Sequence, residues 1–229
     1  VAEIADALKQ PRSTMYRYVE VLCKKGYLTE DEQLGNYSLG FKILLLSKNV
    51  LSNVDVVHLA RPIMQELRDQ TGETVVLASL YGSKAIYLAQ YEGTHTLRAI
   101  YEPYRTLPLH VGASAKILMA YLPEDEIDRI IEREGLKRFT INTITDPQRL
   151  KDHLAEIRQK GYAYSTEEVD YGTRGVASPI FGAKNEVIAS IAVSGPTQRL
   201  DDFTMEKYRD LVIEAGKKIT EKVMGKRKP

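Results

Sequence analysis

The stretch Gly172–Pro196, GTRGVASPIFGAKNEVIASIAVSGP, admits few folds. Two apolar, β-branched runs of strand length, Val176–Phe181 and Val187–Ser194, flank the polar connection Gly182–Glu186, a pattern that predicts an antiparallel hairpin. In the second run Ile188, Ser190, Ala192 and Ser194 alternate with Ala189, Ile191 and Val193, so its two faces differ. One face suits a core. The other carries small residues and hydroxyls and suits the wall of a shallow polar cavity.

The first forty residues follow a different period. Val1, Ile4, Ala5 and Leu8 make a short helical stripe, Lys9–Pro11 interrupts it, and Ser13 or Thr14 is placed to open a second helix with Met15, Val19, Leu22 and Cys23 on one side. Gly26 closes that helix. Tyr27–Thr29 and Asn36–Leu39 read as two short strands around a polar tip, Glu30–Gly35. Two helices, a tight turn and a small hairpin make a winged helix, which can set one end of its second helix in a major groove. Ser13, Thr14, Tyr16 and Arg17 are the candidates to face DNA, with Arg12, Lys24 and Lys25 for the phosphate backbone. The net charge of only +1 is no obstacle, because a local basic patch governs DNA binding. A small helical cap with solvated arginines is the competing reading of this segment.

From Gly40 a longer helical pattern begins with Phe41, Leu44 and Leu45 and continues to Lys48 and Leu51, before a break at Ser52 and Asn53. It reads either as a lever between two modules or as a plain connector. Helices are then expected over Val56–Thr71, Gly112–Ala120, Pro123–Arg133, Asp146–Lys160 and Phe203–Val223, with Thr145 and Gln148 as a capping box. Strands are expected at Thr74–Leu80, Ala85–Gln90, Leu97–Tyr101 and Tyr162–Ser165, with Pro103–Pro108 as a loop. The fold class is therefore mixed α/β and α+β: residues 1–39 a winged helix-turn-helix, 40–54 a linker helix, 55–224 a ligand and oligomerisation domain on an antiparallel sheet, and 225–229 a basic tail.

The chemistry legible in isolated residues is sparse. His58, His95, His110 and His153 lie far apart in sequence and the single cysteine offers no thiolate cluster, so neither a metal nor a cofactor is implied. Ser114 and Lys116 stand at i,i+2 on a helix and point apart, and no Ser/His/Asp set replaces them. Glu167, Glu168 and Asp170 read as orienting a crossing loop ahead of acid/base work. No apolar run is long enough to span a bilayer and the first ten residues do not read as a signal peptide, so a cytoplasmic protein is expected, without a membrane partner.

Taken in order, LKQPRSTMYRYVEVLCKKGYL followed by YSLG resembles the winged helix of the IclR family of bacterial transcription regulators. ARPIMQELRDQTGETVVLA, LPLHVGASAKILMAYLP, TITDPQRLKDHLAEIRQKGYAYSTEE and GVASPIFGAKNEVIASIAVSGP resemble successive signatures of that family's effector domain. The resemblance implies a linker helix leading to a GAF-like domain, assembly as a homodimer or homotetramer, binding to operator double-stranded DNA, and control by a small metabolite, often a carboxylate. Thr173, Gly175, Ala192 and Ser194 fall where the central hairpin resembles that family's effector wall, with Ser165 at the end of the TEE-linked strand; amides near Ala113 and Ser114 at a helix start offer donors to a carboxylate, and Leu107, Leu109 and Val176 suit the apolar side. In many relatives the position matching Ser165 is acidic and that matching Gly175 is cysteine, so a larger or more hydroxylated ligand than a small keto acid is expected here. Family members carry further chain ahead of the position matching Val1, and the amino-terminal part of the winged helix is expected to be missing. A metabolite-binding adaptor without DNA function, and less readily a small-metabolite enzyme, are the rival classes: salt-sensitive DNA binding separates the first, turnover the second.

Overall fold

The computed structural model describes residues 1–31, 35–46, 55–102 and 104–225. Wing-tip positions 32–34, the linker positions Lys48, Leu51, Ser52 and Asn53, and the basic tail beyond Gly225 lie outside the described residues. The chain divides into two compact units, Val1–Asp55 and Val56–Pro229.

In the first unit α1 spans Ala2–Ala7 and α2 spans Arg12–Lys24. The second helix starts ahead of the expected serine or threonine cap: Pro11 holds the N-cap position with a fixed φ of −58°, and no side chain caps the helix. Ala5, Met15 and Val19 are buried and form the unit's small core, whereas Leu22 is 40% exposed. Gly26, at φ +76°, turns the chain into β1 (Leu28–Asp31), which pairs antiparallel with β2 (Asn36–Leu39). A helical stretch follows over 42–46, with Phe41, Leu44 and Leu45 largely exposed.

The second unit is built on six strands: β3 (Thr74–Tyr81), β4 (Lys84–Tyr91), β5 (Thr106–Pro108), β6 (Ala163–Thr166), β7 (Thr173–Phe181) and β8 (Val187–Pro196). Their order is β5-β4-β3-β8-β7-β6 and every pairing is antiparallel. The β7–β8 hairpin sits where the alternation required it, and its β8 strand joins β3 in the middle of the sheet, where both faces are covered. On one face Val76, Ala78, Tyr87, Ala177 and Ala192 pack against α4 (Ala113–Ala120), α5 (Glu124–Glu134) and α6 (Pro147–Lys160). On the other lies α7 (Asp202–Gly225), against which α3 (Asp55–Thr71) rests, the Tyr208 hydroxyl donating to the Thr71 carbonyl at 2.7 Å. Ile191, Val193 and Val75 are at most 1% exposed, each contributing on the order of 1.5–3 kcal/mol by leaving water.

Two local expectations are corrected. Leu97–Tyr101 is not a strand, and the third ladder partner is instead the short β5, inside the segment read as a loop. Backbone groups of 97–101 are taken by side chains and not by a neighbouring strand: Thr74 donates to the Ala99 carbonyl at 2.6 Å, Arg199 to the Leu97 carbonyl at 2.8 Å, and the Tyr101 amide to Gln90 Oε1 at 3.2 Å. The α6 cap is Asp146, whose carboxylate accepts from the Arg149 amide at 2.7 Å, so the Thr145–Gln148 capping box does not form. Thr145 instead accepts from Arg138.

Candidate functional site

In the second unit the start of α4, the β6–β7 connection and the ends of β7 and β8 converge on a cavity of about 250 Å³. It brings together Leu107, Ala113, Ser114, Ser165, Thr173, Gly175, Ala192 and Ser194. Two expected members stand elsewhere. Val176 has the parity of Ser178, which meets Gly216 of α7, so its side chain belongs to the opposite face of the sheet. Leu109, 1% exposed, lines a separate hollow with His110, Met119 and Ile130.

The floor is made of groups that sequence could place only one at a time. Gly112, at φ +76°, leads into α4, whose first intrahelical bond runs from the Lys116 amide to the Gly112 carbonyl at 3.1 Å. The amides of Ala113 and Ser114 precede that bond and lie at the positive end of the helix. Ser190, on the neighbouring strand, donates to the Ser114 carbonyl at 3.0 Å and fixes the helix start against β8. At Gly175 an added Cβ would come 3.1 Å from the Val193 carbonyl oxygen, so the backbone here approaches its neighbour closely. Ser194 is engaged twice, accepting from the Tyr101 hydroxyl at 2.7 Å and donating to the Arg174 carbonyl at 3.2 Å.

Several lining residues carry no sequence signal, because the fold alone brings them near. Tyr101 and Tyr87, tilted 50° to each other with ring centroids 4.7 Å apart, close one side, and burial pushes both phenols' pKa up. Arg98, Arg105, Asp170 and Arg174 complete the rim. Arg98 is paired with Glu92 at 2.7 Å and Arg174 with Asp202 at 2.8 Å.

Behind the floor lies a buried polar cluster. Lys116, fully buried, donates to Glu168, to the Tyr164 carbonyl at 2.9 Å, and faces His153 Nε2 at 3.1 Å. The other Glu168 oxygen accepts from the Gly112 amide at 3.1 Å, so this carboxylate ties the helix start to the β6–β7 connection. Burial lowers the Lys116 pKa, opposed by Glu168; burial and then the Lys116 charge lower that of His153. Glu167 plays a similar local part, accepting from the Gly172 amide at 2.7 Å. Among the described residues no three His, Cys, Asp or Glu side chains stand close enough to hold a metal ion, and no helix is long and apolar enough to cross a membrane.

In the first unit Arg12, Ser13, Tyr16 and Arg17 are exposed on the outer side of α2, away from buried Met15 and Val19. Thr14 is partly covered, and Lys24 and Lys25 lie exposed at the helix's far end.

Comparison with known proteins places this architecture. The family model for the bacterial transcriptional regulator IclR C-terminal domain matches residues 48–221, and that for the IclR helix-turn-helix domain matches residues 1–32. The expected loss of the amino-terminal part of the winged helix is corrected: the helix-turn-helix match takes in residues 1–32, with α1 and α2 both present. The chain is 34% identical over 220 residues to the HTH-type transcriptional regulator BhcR of Paracoccus denitrificans, covering 96% of this chain and 79% of that protein. It is 30% identical over 222 residues to the transcriptional repressor IclR of Escherichia coli, covering 96% and 81%. The crystal structure of the Thermotoga maritima IclR superposes with a TM-score of 0.76 at 30% identity, over 97% of this chain and 90% of that one. These relatives are regulators of transcription and not enzymes. With its winged helix-turn-helix and its antiparallel effector domain both matched, the chain belongs to the IclR family of bacterial transcriptional regulators, DNA-binding proteins that respond to small metabolites.

Proposed function

We propose that operator DNA is read by Ser13, Thr14, Tyr16 and Arg17 of α2, with Arg12, Lys24 and Lys25 on phosphates, and that a small carboxylate in the α4 cavity modulates that binding. In this reading residues 1–39 form the DNA-binding domain, 40–54 the linker, 55–224 the effector domain and 225–229 a basic tail. The observation that carries it is the cavity floor: free amides at a helix start beside serine and threonine hydroxyls, an arrangement that takes an anion and orients the rest of the ligand. A twofold homodimer, or a homotetramer built from it, would offer recognition helices to half-sites about 34–36 Å apart.

For DNA binding, Arg17→Ala in the full chain is expected to weaken operator affinity by about 1–3 kcal/mol per half-site if it reads a base. If it contacts phosphate, the salt slope falls by about one. Titrations at several salt concentrations decide between them, and an unchanged affinity with an unchanged slope removes Arg17 from the interface. The effector half is tested by calorimetry with a panel of carboxylates, followed by operator titration with each one that binds. A ligand shifts the regulator only by its preference between two conformations, so a bound carboxylate that leaves operator affinity unchanged is no effector.

A further inference from the structure

The rim of the cavity carries two charges without an ion-pair partner among the described residues. Of its three arginines, Arg98 and Arg174 are held by Glu92 and Asp202, whereas Arg105 has no side-chain partner among the described residues. Arg105 is nonetheless well placed: its backbone is bonded to β4 through the Tyr87 amide at 3.2 Å, immediately ahead of β5. On the β6–β7 side stands Asp170, whose backbone carbonyl accepts from Thr173 at 2.7 Å while its carboxylate is likewise unpaired. The two form no ion pair with each other among the described residues, and both line the cavity with Tyr101, whose pKa Asp170 raises and Arg105 lowers. Both are exposed, whereas Ser114 and Ser165 on the floor are buried.

Opposite charges that line one cavity without touching select what enters between them. A second carboxylate on the ligand would meet Asp170, and an ammonium would meet Arg105; each gains one partner and is repelled by the other. A hydroxyl suffers neither conflict, because it can accept from a guanidinium or donate to a carboxylate. We infer that Arg105 and Asp170 are specificity-determining residues that read hydroxyl groups, and that the ligand is a polyhydroxylated monocarboxylate with its acid on the α4 amides and its hydroxylated chain at the rim. This rests on the carboxylate reading of the cavity given above.

Five six-carbon probes separate the possibilities by calorimetry on the full chain: gluconate, hexanoate, adipate, 6-aminohexanoate and sorbitol. Gluconate is expected to bind about tenfold or more tightly than hexanoate, adipate or 6-aminohexanoate, the span of one hydrogen bond to a charged group. Asp170→Asn should raise adipate affinity relative to gluconate, and Arg105→Gln should do the same for 6-aminohexanoate. Both side chains are exposed and unpaired, so an unchanged melting temperature is expected in each variant. Hexanoate or adipate matching gluconate, or variants that leave the ranking as it was, would overturn the inference. Sorbitol binding as tightly as gluconate would instead remove the carboxylate reading while leaving the rim's preference for hydroxyls standing. Absence of binding by all five would remove both.

Discussion

Lys116→Met is expected to destabilise the effector domain by about 3–5 kcal/mol, the cost of leaving a buried carboxylate without its cation. Lys116 is wholly enclosed, and Glu168, which it holds, also receives the Gly112 amide at the head of α4. Denaturant unfolding of the full chain measures the effect. Lys116→Met combined with a Glu168→Leu change should lose less than the two single changes added together, because one charge alone is worse than neither. His153 supplies an independent readout. Its folded pKa is lowered, so below the ordinary imidazole value the unfolded chain binds more protons than the folded one, and stability falls as the pH drops through about 6.5. Removing the Lys116 charge takes away one of the two causes, so the His153 resonance should titrate at a higher pH in Lys116→Met. A His153 titration that does not move would show that the two groups are not coupled.

Gly40→Ala should abolish operator binding and spare ligand binding. Gly40 closes the wing against Gly26, its amide donating to the Tyr27 carbonyl at 2.8 Å, and an added Cβ would lie on the Gly26 carbonyl group, 2.8 Å from its carbon. The obstruction is backbone, which cannot rotate away as a side chain can. Overpacking of this kind costs about 1–3 kcal/mol, a large share of what a unit of this size can muster. Gly35→Ala is the control: its Cβ meets nothing within 4 Å, so only the strain of φ +63° remains. Operator titration beside calorimetry on the same preparations distinguishes loss of the wing from general unfolding. Equal operator affinity in wild type and Gly40→Ala would refute the close approach.

What the sequence made legible follows the range of the interactions involved. The β7–β8 hairpin, α2 and most helices were readable because period and turn residues act over a few positions. The cavity's hydroxyl wall was readable once Ser194 and Ala192 were placed on one face. Tyr101 and Arg105 were not, since their approach depends on a long connection crossing the end of the sheet, and nothing in LRAIYEPYR announces it; Asp170 was read only as part of a crossing loop. Nor was the Lys116 cluster, whose members come from α4, α6 and the β6–β7 connection and carry no spacing rule. Leu97–Tyr101 was misread as a strand for the same reason: its composition suits a ladder, but side chains from distant segments claim its carbonyls first.

The central pairing of β3 with β8 has a consequence for synthesis on the ribosome. Ser79 reaches the Ile188 carbonyl across 109 residues, so β3 leaves the exit tunnel long before the strand that covers its inner edge. At roughly 5–20 residues per second that edge stays open for on the order of ten seconds. During that interval β3 and β4 form a hairpin whose free side, Thr74–Ala78, is almost wholly apolar and ready to pair with any extended chain nearby. A nascent chain arrested before β8 has left the tunnel would therefore be a ready client for chaperones that shield exposed strand edges, whereas one in which Pro196 has emerged could close its own sheet.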